Sequence, residues 1–191
     1  DKITLNAAVE SIHQTPDDVR VVYEDTTTGQ KHEVTADYVV SCIPLTVLRT
    51  LPDVDLSPDM KAAVAAVNYS NSAKIGVQMA RRFWEEDDAI FGGAAIHNLP
   101  LGTFVYPSNG FFTRKGVLLG FYGNGTIGGL NQLPIAARIE HVVAHGSKIH
   151  PQMRQEFETG YAVFWEHIEY SNGAYGTANA SLIPRLTEPD R

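Results

Sequence analysis

Histidines, a lone cysteine and a run of acids are the side chains whose types could do chemistry in this sequence. His141 and His145 stand four apart, a spacing that puts two rings on one face of a helix, and His150 follows closely. A metal at that face would need a further ligand. Glu140 points to another face and the H-E-x-x-H order is absent, so the pair reads as a solvated helix face and no metal is expected. Glu85-Glu86-Asp87-Asp88 lacks the ligand spacing of a calcium loop and reads as a solvated turn. Cys42 is the single cysteine, which excludes an internal disulfide and a cysteine-based zinc site. Its apolar neighbours, Tyr38 to Ile43, predict a buried, inert thiol. No G-x-S-x-G elbow or phosphate loop occurs.

The bulk composition narrows the field further. The chain has 191 residues, 43% hydrophobic and 19% charged, enough for one sizeable core or two small ones. A net charge of −7 with no basic stripe argues against a nucleic-acid phosphate footprint. No apolar run approaches the ~20 residues of a membrane-spanning helix. The opening Asp1-Lys2-Ile3-Thr4-Leu5 reads as the edge of a strand, which predicts an internal piece of a longer protein. The sequons at Asn68, Asn124 and Asn179 are short patterns expected by chance, and the compartment stays open.

The elements that would position any site follow from periodicity. Ala8 to His13, Val19 to Tyr23 and Lys31 to Thr35 read as strands, with turn signals at Pro16-Asp17-Asp18 and Thr28-Gly29-Gln30. Tyr38 to Ile43, almost wholly apolar, predicts a strand covered on both faces and ended by Pro44. Leu45, Leu48 and Leu51 predict a helix, and Ser57-Pro58 caps the next, through Met60, Val64 and Val67. Ala73 to Met79 is expected to be a strand with Ile75, Val77 and Met79 on one face. Thr103 to Tyr106, Val117 to Tyr122 and Tyr161 to Trp165 read as further strands, and Pro134 to His145 as a helix. A composition shift near residue 52 separates a β-rich start from a mixed middle.

Several segments carry a resemblance. Ala36-Asp37-Tyr38-Val39-Val40-Ser41-Cys42-Ile43-Pro44 is similar to the Ala-Asp-Tyr-Val-Ile…Pro signature of flavin monoamine and L-amino-acid oxidases. Ser72-Ala73-Lys74-Ile75-Gly76-Val77 leads to Phe83-Trp84, and the family likewise has a lysine followed nine and ten residues later by Phe-Trp. Tyr106-Pro107, Gly116 to Tyr122, and Trp165 followed by Tyr170-Ser171-Asn172-Gly173-Ala174-Tyr175 come in the family's order. The chain thus resembles flavin-containing amine oxidases over nearly its whole length, and the L-amino-acid oxidase branch most. The family's G-x-G-x-x-G opening and its closing Gly-Glu segment, which grip the cofactor, are expected to lie outside this chain. Gly92-Gly93, Gly123-x-Gly125 and Gly128-Gly129 have neither the spacing nor the βαβ context.

The resemblance implies roles for a few residues. Lys74 would be the catalytic and cofactor-facing lysine that holds a water at flavin N5, where a cation stabilises developing negative charge. Read without the resemblance it is an ordinary strand lysine. Tyr122 falls where the family places a tyrosine that binds the substrate carboxylate. Gly123-Asn124-Gly125 stands in place of the more usual Thr-Trp-Gly, so Phe121 competes for that role. Trp165 and Tyr175 are further substrate-side candidates, Trp165 with packing as its simpler role. Gly173 shares the motif of Tyr175, which returns the chain toward the flavin. Val9 matches a valine that meets the adenine end of FAD through its backbone, an ordinary strand valine being the alternative.

The implied fold is α+β: a mixed-sheet substrate-binding domain of a two-dinucleotide-binding-domain flavoprotein, with flanking pieces of the FAD domain. Residues 1–51 would be partial FAD-domain strands, 52–170 the substrate-binding domain, and 171–191 the return toward the FAD domain. The implied activity is FAD-dependent oxidative deamination of an amine or L-amino acid, yielding an imine, hydrogen peroxide and ammonia. The isolated chain would be inactive. Implied partners are the small-molecule amine or amino acid, dioxygen, and the remainder of the polypeptide or a complementary chain, with a homodimer open. Two rivals stand beside this: a polyamine oxidase or flavin desaturase of the same superfamily, and a non-catalytic α+β binding module.

Overall fold

The computed structural model describes residues 3–177. The chain divides into two compact units, one formed by residues up to Tyr69 together with those from Gly176, the other by Ser70–Tyr175.

The first unit is built on an antiparallel meander. Strands β1 (Ala7–Gln14), β2 (Val19–Asp25) and β3 (Lys31–Ala36) pair in the order β3-β2-β1, and β4 (Asp53–Val54) joins the free edge of β1 in parallel. The second turn closes because Gly29 takes a positive φ of 72° and donates its N–H to Asp25 O at 2.7 Å. Helix α1 (Leu45–Leu48) is a single turn, shorter than the Leu45, Leu48, Leu51 spacing predicts. Helix α2 (Pro58–Ala66) starts as its sequence requires: Ser57 Oγ accepts from Met60 N at 3.2 Å and Pro58 occupies the first turn. Strand β5 (Asn68–Tyr69) pairs with Gly176–Thr177, and Tyr69 OH accepts from Leu45 N.

The predicted doubly covered strand at Tyr38–Ile43 does not form. These residues carry no strand hydrogen bonds, and Tyr38 and Val40 are 89% and 88% exposed. An apolar run becomes a strand only if a neighbour accepts its backbone, and no strand among the described residues lies beside it. Cys42 is exposed for the same reason, against the expectation of a buried thiol. Residues 3–5 likewise form no strand edge, and the meander begins at Ala7.

The second unit is a five-stranded antiparallel sheet ordered β10-β6-β9-β8-β7: β6 is Ser72–Met79, β7 Gly93–Ala95, β8 Phe104–Tyr106, β9 Gly116–Asn124 and β10 Phe157–Phe164. Alternation on β6 turns Ala73, Ile75, Val77 and Met79 inward, all at 0% exposure. They pack with Leu118, Phe121 and Phe164 against Val142 and Val143 of α4 (Ile135–Gly146). The helix sits close because β9 has Gly120 beneath it. A Cβ at Gly120 would lie 2.2 Å from Val142 Cγ1. Arg138 of α4 lays its guanidinium over the Phe164 ring at 4.0 Å. The short α5 (Met153–Glu156) leads into β10 and buries Met153.

The acidic run is solvated at Glu86, Asp87 and Asp88, as expected, but Glu85 is buried. Helix α3 (Phe83–Glu86) follows β6 and sends Phe83 and Trp84 fully into the core. Glu85 is buried with Arg82, whose Nε donates to Glu85 Oε1 at 2.6 Å and whose Nη2 donates to Asn109 O at 2.9 Å. The second carboxylate oxygen accepts from Phe112 N at 2.9 Å, tying down the loop before β9. Arg81 meanwhile binds Glu86, Asp87 and Glu156. Asp88 holds His150 Nδ1 at 2.9 Å, and His150 Nε2 meets the buried Tyr106 hydroxyl at 2.6 Å. Burial pushes the Tyr106 phenol above its ordinary pKa.

The hydrogen bond from Arg82 holds the Glu85 carboxyl below the ordinary glutamate value of 4.5, against the opposing effect of burial. A carboxyl depressed in the folded state stabilises the fold above its unfolded pKa, and that contribution is lost as pH falls through the folded value. Glu85→Gln leaves the Arg82 charge buried without a counter-ion and should cost about 3–5 kcal/mol at pH 7. Urea unfolding at neutral pH and again below pH 4 checks this: the gap between wild type and variant should narrow in acid.

Candidate functional site

Lys74 is on the outer face of β6, opposite the core-facing Ile75, and its side chain is exposed. Its register partner on β9 is Tyr122, and on β10 it is Val163. Directly opposed residues of antiparallel strands share a face, so the lysine and tyrosine meet: Lys74 Nζ lies 4.8 Å from the Tyr122 ring centroid. Among the described residues no carboxylate pairs with this ammonium. Tyr161, Val163 and Val117 stand on the same face by the same register. Around Lys74 this face is aromatic and aliphatic, and towards the other end of β6 it turns polar, where Gln78 and Lys115 both bind Glu158.

At the end of β6 and β9 this face borders a cavity of about 310 Å³. Tyr122 and Tyr175 line it with Gly123, and Ser70, Asn71, Ser72, Thr103 and Asn124 supply its polar walls. Tyr175 is held there by the main chain: Ser70 N donates to Tyr175 O at 3.0 Å, and Ala174 N to Ser70 O at 2.9 Å. Tyr122 is framed from the other side. Gly102 forms a bridge to it, and Thr103 N donates to Tyr122 O at 2.8 Å. Gly102 has φ 62°, and a Cβ there would lie 2.5 Å from Tyr122 O, so only glycine lets the two backbones approach this closely.

Of the residues singled out from sequence, the fold thus sets Lys74 against Tyr122, and Tyr122 shares the cavity wall with Tyr175. Trp165 is not a wall of the cavity. It opens a 3₁₀ turn, Trp165–His167, directly after β10, and its carbonyl accepts from Ile168 N and Gly173 N, closing the loop that leads to Tyr175. Gly173 is buried at φ 150°. Val9 belongs to the first unit, half-buried on β1 opposite Tyr23, beside the irregularity at Glu10. Phe121, the alternative to Tyr122, points into the core at 0% exposure and cannot share the outer face. Ser70, Asn71, Thr103 and Asn124 were not legible as site residues, because small polar side chains at strand ends are ordinary in any sequence.

His141 and His145 do share a helix face, with ring centroids 4.2 Å apart, but the face is not solvated. His141 Nε2 meets Pro100 O at 2.8 Å and His145 Nδ1 meets His141 O at 2.9 Å, so both rings are engaged by carbonyls. A grouping that the spacing did not reveal joins His13, Asp53 and Asp55, with ligand atoms within 4.8 Å of one another. Each ring nitrogen of His13 already faces a carboxylate, Asp53 at 3.0 Å and Asp55 at 3.4 Å, which accounts for the cluster as a polar knot across β1 and β4. No helix among the described residues is long and apolar enough to cross a membrane.

The outer face suits a flavin. A planar ring system stacks on the aromatic and aliphatic surface near Tyr122, and among the described residues Lys74 has no carboxylate partner to compete for its charge.

The sequence model of the family described as "Flavin containing amine oxidoreductase" matches residues 1–190. The L-amino-acid oxidase of Gloydius blomhoffii is 30% identical over 99% of this chain and 38% of its own length. That of Pseudechis australis is 29% identical over 91% of this chain and 34% of its own length. The chain therefore spans well under half of the curated relatives it matches. Among solved structures, wild-type putrescine oxidase bound to putrescine superposes with a TM-score of 0.79 at 17% identity, covering 97% of this chain and 40% of that one, a likeness of fold.

Gly102→Ala should destabilise the second unit by about 1–3 kcal/mol, since it forces a side chain into a left-handed backbone against a carbonyl. A shifted urea midpoint with an altered tyrosine signal from Tyr122 would report it, whereas Gly93→Ala, also at positive φ but with open space around it, should keep its tyrosine signal.

Proposed function

This chain belongs to the flavin-containing amine oxidoreductase family, and from that premise we propose that it is the substrate-side part of an FAD-dependent oxidase acting on an L-amino acid. The observation that carries the reading is the Lys74–Tyr122 pair on an uncovered sheet face, beside a cavity that also presents Tyr175. Likeness to L-amino-acid oxidases along nearly the whole chain supports the amino-acid branch over a simple amine. The division near residues 52 and 170 into FAD-domain and substrate-domain parts belongs to the same proposal.

FAD, when bound, supplies the acceptor for the hydride of the carbon bearing the amine, and its reoxidation by dioxygen yields hydrogen peroxide. This chain's residues do the rest of the work on their side. Lys74 places a positive charge where negative charge grows as electrons arrive, and its Nζ can hold a water by hydrogen bonding. Tyr122 keeps that ammonium in position through its ring and leaves its hydroxyl to meet the substrate carboxylate. Tyr175 and the aromatic outer face exclude water around the reacting carbon and favour the neutral amine, from which hydride departs. The imine then leaves and hydrolyses to an oxo acid and ammonia. Contacts that grip the cofactor phosphates and the far side of the substrate come from outside this chain. The chain by itself is proposed to be inactive.

The test is Lys74→Met in the full-length oxidase, assayed by peroxide release and by oxygen uptake. Activity should fall by about 10²–10³-fold with flavin content retained, the loss that follows removal of one preorganised charge-stabilising donor. Unchanged kcat/KM and unchanged oxygen reactivity would remove Lys74 from the mechanism. Turnover of amino acids by the 191-residue chain with added FAD would overturn its proposed inactivity.

A further inference from the structure

The cavity beside Tyr122 sets uncharged polar groups beside its aromatic wall. Hydroxyls and amides from Ser70, Asn71, Ser72, Thr103 and Asn124 form its walls, and no acidic or basic side chain lines it. The Ser70 Oγ is shut off from solvent and has no hydrogen-bond partner among the described residues. A buried hydroxyl left unpaired costs free energy, and it recovers that cost when a ligand group bonds to it. Asn124 has its amide orientation set, because Oδ1 accepts from both Thr126 N at 3.0 Å and Thr126 Oγ1 at 2.9 Å. Its Nδ2 is left as a fixed donor. Ser72 is the register partner of Asn124, and the backbone of Ser70 is pinned to Ala174 and Tyr175, so these groups are mounted on paired strands.

We infer that this cavity reads the substrate side chain and selects an uncharged hydrogen-bonding one, a carboxamide such as that of glutamine, over aliphatic or cationic side chains. A carboxamide presents both an acceptor for Asn124 Nδ2 and a donor for Ser70 Oγ. An aliphatic side chain displaces water from Asn124 Nδ2, leaves Ser70 Oγ unpaired and returns nothing. A cationic side chain or a diamine finds no carboxylate in the walls. At about 310 Å³ the cavity is at the small end of ligand sites.

The inference rests on the oxidase reading, and the experiment separates the two. In the full-length oxidase, kcat/KM is measured by oxygen uptake for L-glutamine, its near-isostere L-methionine, and putrescine. Glutamine should exceed methionine by roughly tenfold or more, as expected where a site built to hydrogen-bond meets an analogue that cannot reciprocate. Ser70→Ala and Asn124→Leu should each lower the glutamine-to-methionine ratio severalfold; a ratio cancels any loss common to both substrates, and thermal melts confirm folding. A preference for methionine, or a ratio unmoved in both variants, overturns the side-chain inference and leaves the oxidase standing. Turnover of putrescine alone, or of none of the three, overturns both.

Discussion

Strand β6 is hydrogen-bonded along both edges, to β9 and to β10, and nearly everything else in the second unit depends on that double pairing. A strand held on both sides cannot slip by one residue without exchanging its two faces. Ile75, Val77 and Met79, fully buried, fix which face is inward, and so fix Lys74 outward. The same register that sets Lys74 against Tyr122 sets Ser72 against Asn124, so the cation, the aromatic ring and the polar wall are placed by one set of backbone hydrogen bonds. Site geometry here is a by-product of core packing: apolar side chains on one face specify the positions of polar ones on the other.

The helical cover is equally economical. α4 packs where β9 lacks a side chain at Gly120, and α3 turns Phe83 and Trp84 into the core behind it. The buried Arg82–Glu85 pair contributes little net stability by itself, since desolvation offsets most of its attraction. Its consequence is positional, because the two spare hydrogen bonds reach Asn109 O and Phe112 N and hold the loop that feeds β9.

Much of this was legible in the sequence wherever one periodicity governs several residues at once. The alternation at Ala73–Met79, the capped start at Ser57-Pro58 and the helix after Pro134 all appear as read. The Lys74 to Phe83-Trp84 spacing marks the family, and its physical content is a strand, a turn and a core-facing helix, with only Lys74 on the open side. What could not be read has a common cause. Whether Tyr38–Ile43 pairs depends on a neighbour supplied by distant chain, and whether Glu85 is solvated depends on an arginine whose direction no local pattern sets. The polar walls at Ser70, Thr103 and Asn124 come from three separate strand ends, and only the tertiary register makes them neighbours.

For the 191-residue chain by itself, the bare segment Tyr38–Ile43 has a colloidal consequence. Six consecutive residues without proline or charge, rich in β-branched and aromatic side chains and with free backbone donors and acceptors, meet the requirements for stacking into cross-β ribbons with copies of themselves. In-register stacking would also place the exposed Cys42 of one chain against that of the next, where oxidation would lock the pair covalently. For a chain presenting this surface, concentration and redox conditions govern whether it stays dispersed as much as folding does.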